Sequence, residues 1–366
     1  MILQSLLAIA QVELRRLMRS PIALGLLLLV PAFQLVLFGY AIRPNGAAVT
    51  LAVAAESPEA WRTVTKAISG NKGLVVLPGN LRPGEAEAAV RTRRATIGVE
   101  LPEQRSFYNP GANGGPVRII IDDTVPSLVE SAAAKLDAAY WRNVAEHGQS
   151  FTTGPGLQIE RLYNPDGHAE WQFLPALVGV TVMIAMIMLG TLGMARERET
   201  GTLEGLLALP ISRTALMFGK ALPFVLVGTL QGLLVLGLSV GLFALPLRGS
   251  LGALIALLVP FSAVHFILGY AISSRAQSQL AALQGAVGFY LPAMLLSGFL
   301  YPFESLPGWA RFIGNMLPLT HFIRSARDVT LRGAGAYDTL IAGWPIGAAL
   351  VVIIGAAIML QPRRLE

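Results

Sequence analysis

The sequence predicts an α-helical membrane protein with six transmembrane helices, an N-terminal interfacial helix, and an extracytoplasmic α/β domain inserted between the first two spans. Three observations carry that prediction. Hydrophobic residues make up 54% of the 366 residues and charged residues only 14%, against the roughly 25% charged that is usual in soluble domains. The apolar residues come in blocks of membrane-spanning length instead of at the periodicity of ordinary cores. A long polar stretch separates the first block from the others.

Residues 1–20 form the interfacial helix. Leu3, Leu6, Leu7, Ala10, Leu14 and Leu17 recur at helical spacing, and Glu13, Arg15, Arg16 and Arg19 gather toward its end. That pattern suits a helix lying in the membrane surface before the chain turns into the bilayer. A hydrocarbon core of about 30 Å requires roughly 20 apolar residues at about 1.5 Å each. Six stretches meet this length: Pro21–Ile42, Trp171–Met194, Leu216–Leu245, Leu251–Ile272, Leu280–Leu300 and Thr339–Leu360. Backbone groups in lipid must bond internally, so each is a helix. Pro31, Pro175, Pro223, Pro260 and Pro292 predict kinks within them. The first block is longer than the roughly 7–15 apolar residues of a signal peptide, which predicts a retained anchor.

Basic residues orient the spans. Arg15, Arg16 and Arg19 place the N-terminus in the cytoplasm, and six spans bring Arg363-Arg364 to the same side. Arg196, Arg198, Arg213 and Lys220 after the second span, and Arg275 after the fourth, obey the same rule. Arg311, Arg324, Arg327 and Arg332 fall outside and violate it.

The insert, residues 43–170, holds 13 of the 28 Lys+Arg and 14 of the 22 Asp+Glu. It is therefore close to neutral, and the net charge of +6 belongs to the membrane part, where it orients the chain and meets lipid headgroups. No nucleic-acid surface is implied. Its pattern alternates: Val49–Ala55 apolar, Pro58–Ile68 helical, Gly73–Leu77 strand, Gly84–Arg94 helix, Ala95–Leu101 and Val117–Ile121 strands, and Val125–Glu146 a long amphipathic helix. Asp122 and Asp123 invite a metal or catalytic reading, but neighbours on a strand face opposite ways, and Asp123 or Thr124 suits the cap of the following helix. Gln104–Pro116 is a Gly-rich loop without a dinucleotide fingerprint.

Independent catalysis finds no support. The sequence has no cysteine, and hence no disulfide, thiolate nucleophile or Cys-held metal. It has no phosphate-cradling Gly-x-x-x-x-Gly-Lys-[Ser/Thr] loop, no nucleophile elbow and no metal-ligand spacing, while His147, His168, His265 and His321 are scattered. The chain is expected to bind no cofactor or metal itself. Gln34, Gln231, His265, Gln284 and Tyr290 are polar groups within spans, for which helix-to-helix hydrogen bonds are the default and a place on a substrate path the alternative. Met183, Met186, Met188 and Met194 give the second span an adaptable surface, whether for lipid-facing packing or for hydrophobic cargo.

The most informative stretch is residues 195–212. Arg196, Glu197, Arg198 and Glu199 crowd one turn, Gly201 and Thr202 follow, Leu203, Leu206 and Leu207 make an apolar face beside Glu204, and Pro210 ends the helix. Exposed leucines beside ordered charges suit docking into a partner's groove, although a plain solvated loop fits the same pattern. Here the sequence resembles the permease subunits of type-2 ABC exporters, in which Glu-Arg-Glu-x-Gly-Thr-x-Glu-x-Leu followed by Pro marks the coupling helix that meets the ATPase. Where many members have Thr-Pro, this chain has Leu209-Pro210. A second resemblance runs through Gly298, Tyr301, Pro302, Glu304, Pro307 and Trp309 to Pro318, His321, Arg324 and Arg327. In the family this is a re-entrant outer-leaflet segment, here 301–335. Leu162-Tyr163-Asn164-Pro165 resembles the long-ectodomain branch, which includes bacterial multidrug-type permeases.

The resemblance implies an inner-membrane protein with both termini cytoplasmic, paired with a second copy or paralogue, and driven by cytoplasmic ABC ATPase subunits that bind ATP and Mg. It implies efflux of a drug-like compound or lipid, along a path between the two copies lined by spans one, two and five. Gln34, Met183, Met186, Gln284 and Tyr290 are the candidates for that path. The ectodomain's size raises a periplasmic adaptor as a further partner. Two other classes stay open: a mechanotransmission or scaffold protein that moves no cargo, and an ATP-independent secondary transporter. The first usually has four spans, and the second commonly shows internal repeats and midplane ionisable residues.

Overall fold

The computed structural model describes residues 2–41, 49–55, 58, 61–62, 65–66, 74–101, 118–122, 158–164, 168–201, 205, 212–274 and 276–360. Two compact units result, one of Met1–Ala41 with Phe173–Glu366 and the other of Ile42–Gln172.

The first unit is helical. α1 (Ile2–Met18) leads into α2 (Pro21–Ala41). α1 buries Ala10 and Leu17 and leaves Leu7, Val12, Leu14 and Met18 exposed. Numbering continues after the insert with α4 (Leu174–Glu199), α5 (Arg213–Phe243), α6 (Leu251–Ser273) and α7 (Gln279–Leu296). Serines start three of these helices: the hydroxyls of Ser212, Ser250 and Ser278 accept from the backbone N–H of Ala215, Ala253 and Ala281 at 3.2, 3.3 and 3.1 Å. Each satisfies one amide that the first turn leaves unbonded. Pro31, Pro223, Pro260 and Pro292 lie inside helices, whereas Pro175 sits in the first turn of α4.

α4 is the central helix, packed by α5, α6, α7 and a short helix further on. It has few exposed positions along its spanning length. The hydroxyl of Thr191 on α4 donates both to the Ile187 carbonyl of its own helix at 2.6 Å and to the Gly269 carbonyl of α6 at 3.3 Å. α7 contrasts with this, since it buries only Ala282, Ala286 and Ala293.

After α7 the backbone turns at Gly298, whose φ of 84° favours glycine. A 3-10 turn (Phe303–Ser305), α8 (Gly308–Met316), α9 (Pro318–Arg327) and a π turn (Asp328–Arg332) follow. The chain ends its described part in α10 (Ala336–Ala342) and α11 (Trp344–Leu360).

Four helices, α4 to α7, are long and apolar enough to cross a membrane, and the pair α10 and α11, bent by 42°, makes a fifth if counted as one span. The expected count of six is therefore not reached among the described residues, because the described apolar stretch of α2 is the shorter Leu27–Leu37. Boundaries also shift. The fifth span ends at Leu296 rather than Leu300, because Gly298 takes the left-handed conformation that stops a helix. The last block is two helices meeting at Gly343 instead of one. A side chain at Gly343 would drive into Leu257 of α6, so glycine permits the close approach there.

The second unit holds a five-stranded sheet in the order β2-β1-β3-β4-β5, from β1 (Val49–Ala55), β2 (Leu74–Val76), β3 (Ile97–Leu101), β4 (Arg118–Asp122) and β5 (Gln158–Leu162). Only the β3–β4 pair is antiparallel. α3 (Glu85–Arg91) packs Ala86, Ala89 and Val90 against Ala52, Ala54 and Ile120. Glu85 and Glu87 stand in its first turn, where the helix dipole favours them. Gly98 allows α3 to lie close, because a Cβ there would stand 2.9 Å from the Ala86 carbonyl oxygen. β5 was not expected. Its Glu160 and Arg161 interrupt the apolar pattern, and it pairs in parallel with β4 through Arg118–Asp122. The helices read at 58–68 and 125–146, the loop at 104–116 and the Asp123 cap lie wholly or largely outside the described residues.

Within this unit Asn164 is fully buried. Its side-chain amide donates to the His168 carbonyl and its oxygen accepts from the His168 N–H, both at 3.0 Å. His168 then stacks on Trp171 at 4.6 Å between ring centroids.

Candidate functional site

The helix α4 runs on past the expected end of its span, so Arg196–Glu199 form its last turn instead of opening a separate helix. Successive residues on a helix point about 100° apart. Glu197, Arg198 and Glu199 therefore reach three different neighbours.

Glu197 points inward and is 4% exposed. It pairs with the ammonium of Lys220 on α5, which is itself 3% exposed and also donates to Glu13 of α1 at 2.8 Å. Arg16 of α1 comes within 4.0 Å of the same Glu197 oxygen. α1 can reach α5 this closely because residue 219 is glycine; a Cβ there would lie 2.9 Å from Ile9 and 3.0 Å from the Leu6 carbonyl oxygen.

Arg198 turns to the end of α6. Its two terminal nitrogens donate to the carbonyls of Ser274 at 2.8 Å and Ala276 at 2.5 Å. Carbonyls of the chain just past a helix end lack intrahelical partners, and the guanidinium fork supplies two of them. Glu199 turns to the start of α7, where its two oxygens accept from the backbone N–H and the side-chain amide of Gln279 at 2.6 and 2.5 Å. A carboxylate at a helix N-terminus is favoured by the dipole. Three consecutive residues thus bind α4 to α1, α5, α6 and α7 at one end of the unit.

Thr200 caps α4, its hydroxyl donating to the Arg196 carbonyl at 2.9 Å, and Gly201 follows with φ of 70°. Of the other residues expected to couple to an ATPase, Arg196 is exposed, and Thr202, Leu203, Glu204, Leu206, Leu207 and Pro210 lie outside the described residues. The sequence marked this turn, but it did not identify Arg16, Lys220 and Gln279 as its partners. A lysine two turns into a long apolar helix was the available signal for one of them.

The opposite end carries the arginines that break the charge rule. Arg324 lies 4.3 Å from the Phe303 ring centroid and donates to Asn315 at 3.4 Å. Arg327 donates to the Gly298 carbonyl at 3.2 Å, and Arg332 stands 3.6 Å from Asp328. Arg311 is exposed. Three of the four are therefore held by the protein. Burial, and to a lesser degree the Arg324 charge, hold the His321 imidazole below its ordinary value, although its hydrogen bond to the Asn315 carbonyl at 2.8 Å works the other way. Among the other residues expected here, Gly298 ends α7, Pro302 leads into the 3-10 turn that contains Glu304, Pro318 opens α9, and Tyr301 is exposed.

The candidates within spans divide. Met183 and Met186 are fully buried, and Met186 fills the space over Gly228 of α5, so both belong to packing within this chain. Gln34 and Tyr290 are half-buried and Gln284 is exposed. His265 donates to the Phe261 carbonyl of its own helix at 2.8 Å, not to a neighbouring helix. Gln231 is 1% exposed and neither of its amide atoms has a hydrogen-bond partner among the described residues. The expected helix-to-helix bonds are absent from both, and Thr191 supplies one instead. Among the described residues no three His, Asp or Glu side chains are grouped to hold a metal ion.

A family model described as ABC-2 family transporter protein matches residues 22–360. The chain belongs to this family. It is a type-2 ABC transport permease, a multi-pass membrane protein of a family that works with ATPase subunits. The ABC-2 permease is 27% identical to the probable multidrug ABC transporter permease YbhR of Escherichia coli (strain K12) over 342 residues, covering 91% of this chain and 92% of that one. It is 26% identical to the probable multidrug ABC transporter permease YbhS of the same strain over 363 residues, covering 97% and 96%. To the inner membrane transport permease YhhJ of that strain it is 31% identical over 213 residues, covering 55% and 53%.

Proposed function

We propose that this ABC-2 permease is the membrane subunit of an ATP-driven exporter that moves an amphipathic or hydrophobic substrate, a drug-like compound or lipid, out of the cytoplasm or inner membrane. In this reading α2 and the bent α10–α11 pair complete six spans, both termini and the 196–212 loop face the cytoplasm, and the 42–172 unit and the 301–335 segment lie outside. Two permeases, identical or paralogous, enclose the path. The sparsely buried α7, with Gln284 and Tyr290, lies beside it together with Gln34 of α2. ATP and Mg belong to the cytoplasmic ATPase subunits, which dock on residues 196–212. An adaptor meeting the outer unit is a further part of this reading.

The observation that carries the proposal is the turn Glu197-Arg198-Glu199. It leads into the loop and is bonded to α5, α6 and α7. A force applied to the loop is thereby delivered to several spans together, which is what alternating access driven from outside the chain requires. The relatives' names, two of them multidrug permeases, support the substrate class.

The test is a pull-down of the tagged permease from detergent-solubilised membranes beside a Glu199→Arg, Leu203→Asp double variant, followed by an ATPase assay and dye efflux from cells. An ATP-hydrolysing partner should accompany the unmutated chain and be lost from the folded variant, with efflux lost alongside. Absence of any ATPase from both would overturn the reading.

A further inference from the structure

α1 turns one side to α5. Leu6 and Ile9 lie against Gly219, Ala10 and Leu17 are buried, and Glu13, the one acid of this helix, accepts from Lys220. The other side is left open among the described residues: Leu7, Leu14 and Met18 are 47%, 40% and 67% exposed. At about 100° per residue these three fall within about 40° of one another around the helix, in a single apolar row. Arg15 and Arg19 stand in the next row, on the far side of the helix from Leu17 and Glu13. Both are exposed, and among the described residues neither guanidinium has an ion-pair or hydrogen-bond partner.

The Arg19 N–H donates to the Arg15 carbonyl at 3.0 Å, so the two arginines are neighbours on one turn. Like charges at that spacing repel, and Glu13 is committed to Lys220 on the inner side. The helix dipole favours cations at this end, but it leaves the apolar row unexplained. Row and charges together are the pattern of a helix in a bilayer surface, with apolar side chains at the acyl boundary and arginines at the phosphates. Continuity along the chain selects the same partner. α2, an apolar helix, begins at Pro21, two residues after Arg19, and exposes Leu29, Phe33 and Leu37. An acidic protein groove would supply an anion for the arginines, but an anionic lipid supplies it beside the apolar surface that α1 shares with α2.

We propose that the open side of α1 binds an anionic phospholipid, its phosphate between Arg15 and Arg19 and its acyl chains beside Leu14 and Met18. Guanidinium groups pair with phosphate oxygens through two parallel hydrogen bonds, so two of them hold one headgroup and the phosphate cancels their repulsion. α1 is then fixed on both sides, by Lys220 and Gly219 within the bundle and by lipid outside it. The permease accordingly prefers an anionic bilayer to a zwitterionic one. This inference is independent of the exporter reading, because it needs only the permease and a bilayer.

The test uses the full-length permease without any ATPase, in bilayers of phosphatidylcholine alone or in equal parts with phosphatidylglycerol. Native mass spectrometry of the lipid retained after extraction gives the preference for phosphatidylglycerol, and thermal unfolding in phosphatidylcholine checks the fold of each variant. The preference is expected to fall about fivefold for each arginine removed in Arg15→Gln and Arg19→Gln, and to persist in Arg15→Lys and Arg19→Lys. In the unmutated chain it should weaken as salt is raised, a result that needs no variant. The chain has no cysteine, so Met18→Cys carries a single spin label, which should meet oxygen more readily than a water-soluble nickel complex. Equal retention of both lipids by the unmutated chain overturns the proposal, as does an undiminished preference in the double glutamine variant. A Met18 label open to nickel in the permease alone and shielded only when an ATPase is added also overturns it, making this side of α1 a protein-docking surface, and coupling between labels on two copies overturns it in favour of a dimer contact.

Discussion

Gly190 of α4 and Gly269 of α6 oppose one another at the crossing of the two helices. A Cβ on Gly190 would strike the Phe266 carbonyl oxygen and lie 3.0 Å from the Tyr270 nitrogen, and a Cβ on Gly269 would strike the Ile187 carbonyl oxygen and lie 3.0 Å from the Thr191 nitrogen. Lipid is as apolar as a leucine side chain, so membrane helices associate through close backbone approach and not through hydrophobic burial. Each glycine opens the space that the other helix's backbone occupies.

Substitution of either glycine by valine is therefore expected to destabilise the membrane unit by about 1–3 kcal/mol through overpacking. Thermal unfolding in detergent checks this. The double variant should cost less than the sum of the singles, because one wedge already parts the crossing. Full additivity would show that the two positions act separately.

Arg198 bridges two backbone carbonyls with two nitrogens of one planar group. Lysine has a single ammonium at the end of a flexible stem and cannot reproduce that fork. Arg198→Ala should cost about 2 kcal/mol, the range for hydrogen bonds to a charged group, and Arg198→Lys should recover less than half of it. Hydrogen exchange at residues 274–280 should accelerate in both, and unchanged protection there would count against the fork's role.

His321 gives the permease a pH-dependent component of stability. Its folded value lies below the ordinary 6.5, chiefly through burial. The unfolded chain therefore takes up the proton first as pH falls. The stabilising contribution is complete above pH 6.5 and is lost as pH falls from there through the lowered folded value. The melting temperature should drop between neutral and acidic pH, and His321→Gln should flatten that drop.

Asn164 closes the loop that leads out of the sheet unit by bonding both backbone groups of His168. Asn164→Ala would remove both bonds from a fully buried position, at a cost of about 1–3 kcal/mol. Limited proteolysis of the full-length chain should show new cleavage between residues 163 and 171. Asn164→Asp, which keeps the acceptor and loses the donor, should fall between the two.

The apolar spans were legible because hydropathy is a property of contiguous sequence. α4, α5 and α6 coincide with their predicted blocks to within a few residues at most ends. Breaks set by backbone geometry were harder to see, as at Gly298 and Gly343, where one glycine among many takes a conformation or an approach that others do not. β5 was missed because Gln158, Glu160 and Arg161 hide an edge strand whose pairing, among the described residues, is supplied by β4. The charged turn of α4 was recognisable from its composition and its spacing. Its partners were not, because Lys220 and Gln279 lie 23 and 80 positions from Glu197 and Glu199, and no local pattern encodes such separations.

The turn between α5 and α6 carries an order of events in its bonds. Its Gly249 and Ser250 amides donate to the Val329 and Ala334 carbonyls at 2.8 and 3.0 Å, and Arg248 donates to the Leu331 carbonyl 83 positions away. During synthesis the α5–α6 hairpin leaves the ribosome well before the residues that bind its tip exist. The hairpin must therefore form before these donors have their carbonyl partners. They close only after α7 and the chain beyond it have been made. A permease built this way completes this end of its bundle last, and a ribosome stalled before residue 328 would leave a bundle whose α5–α6 tip is still unsewn.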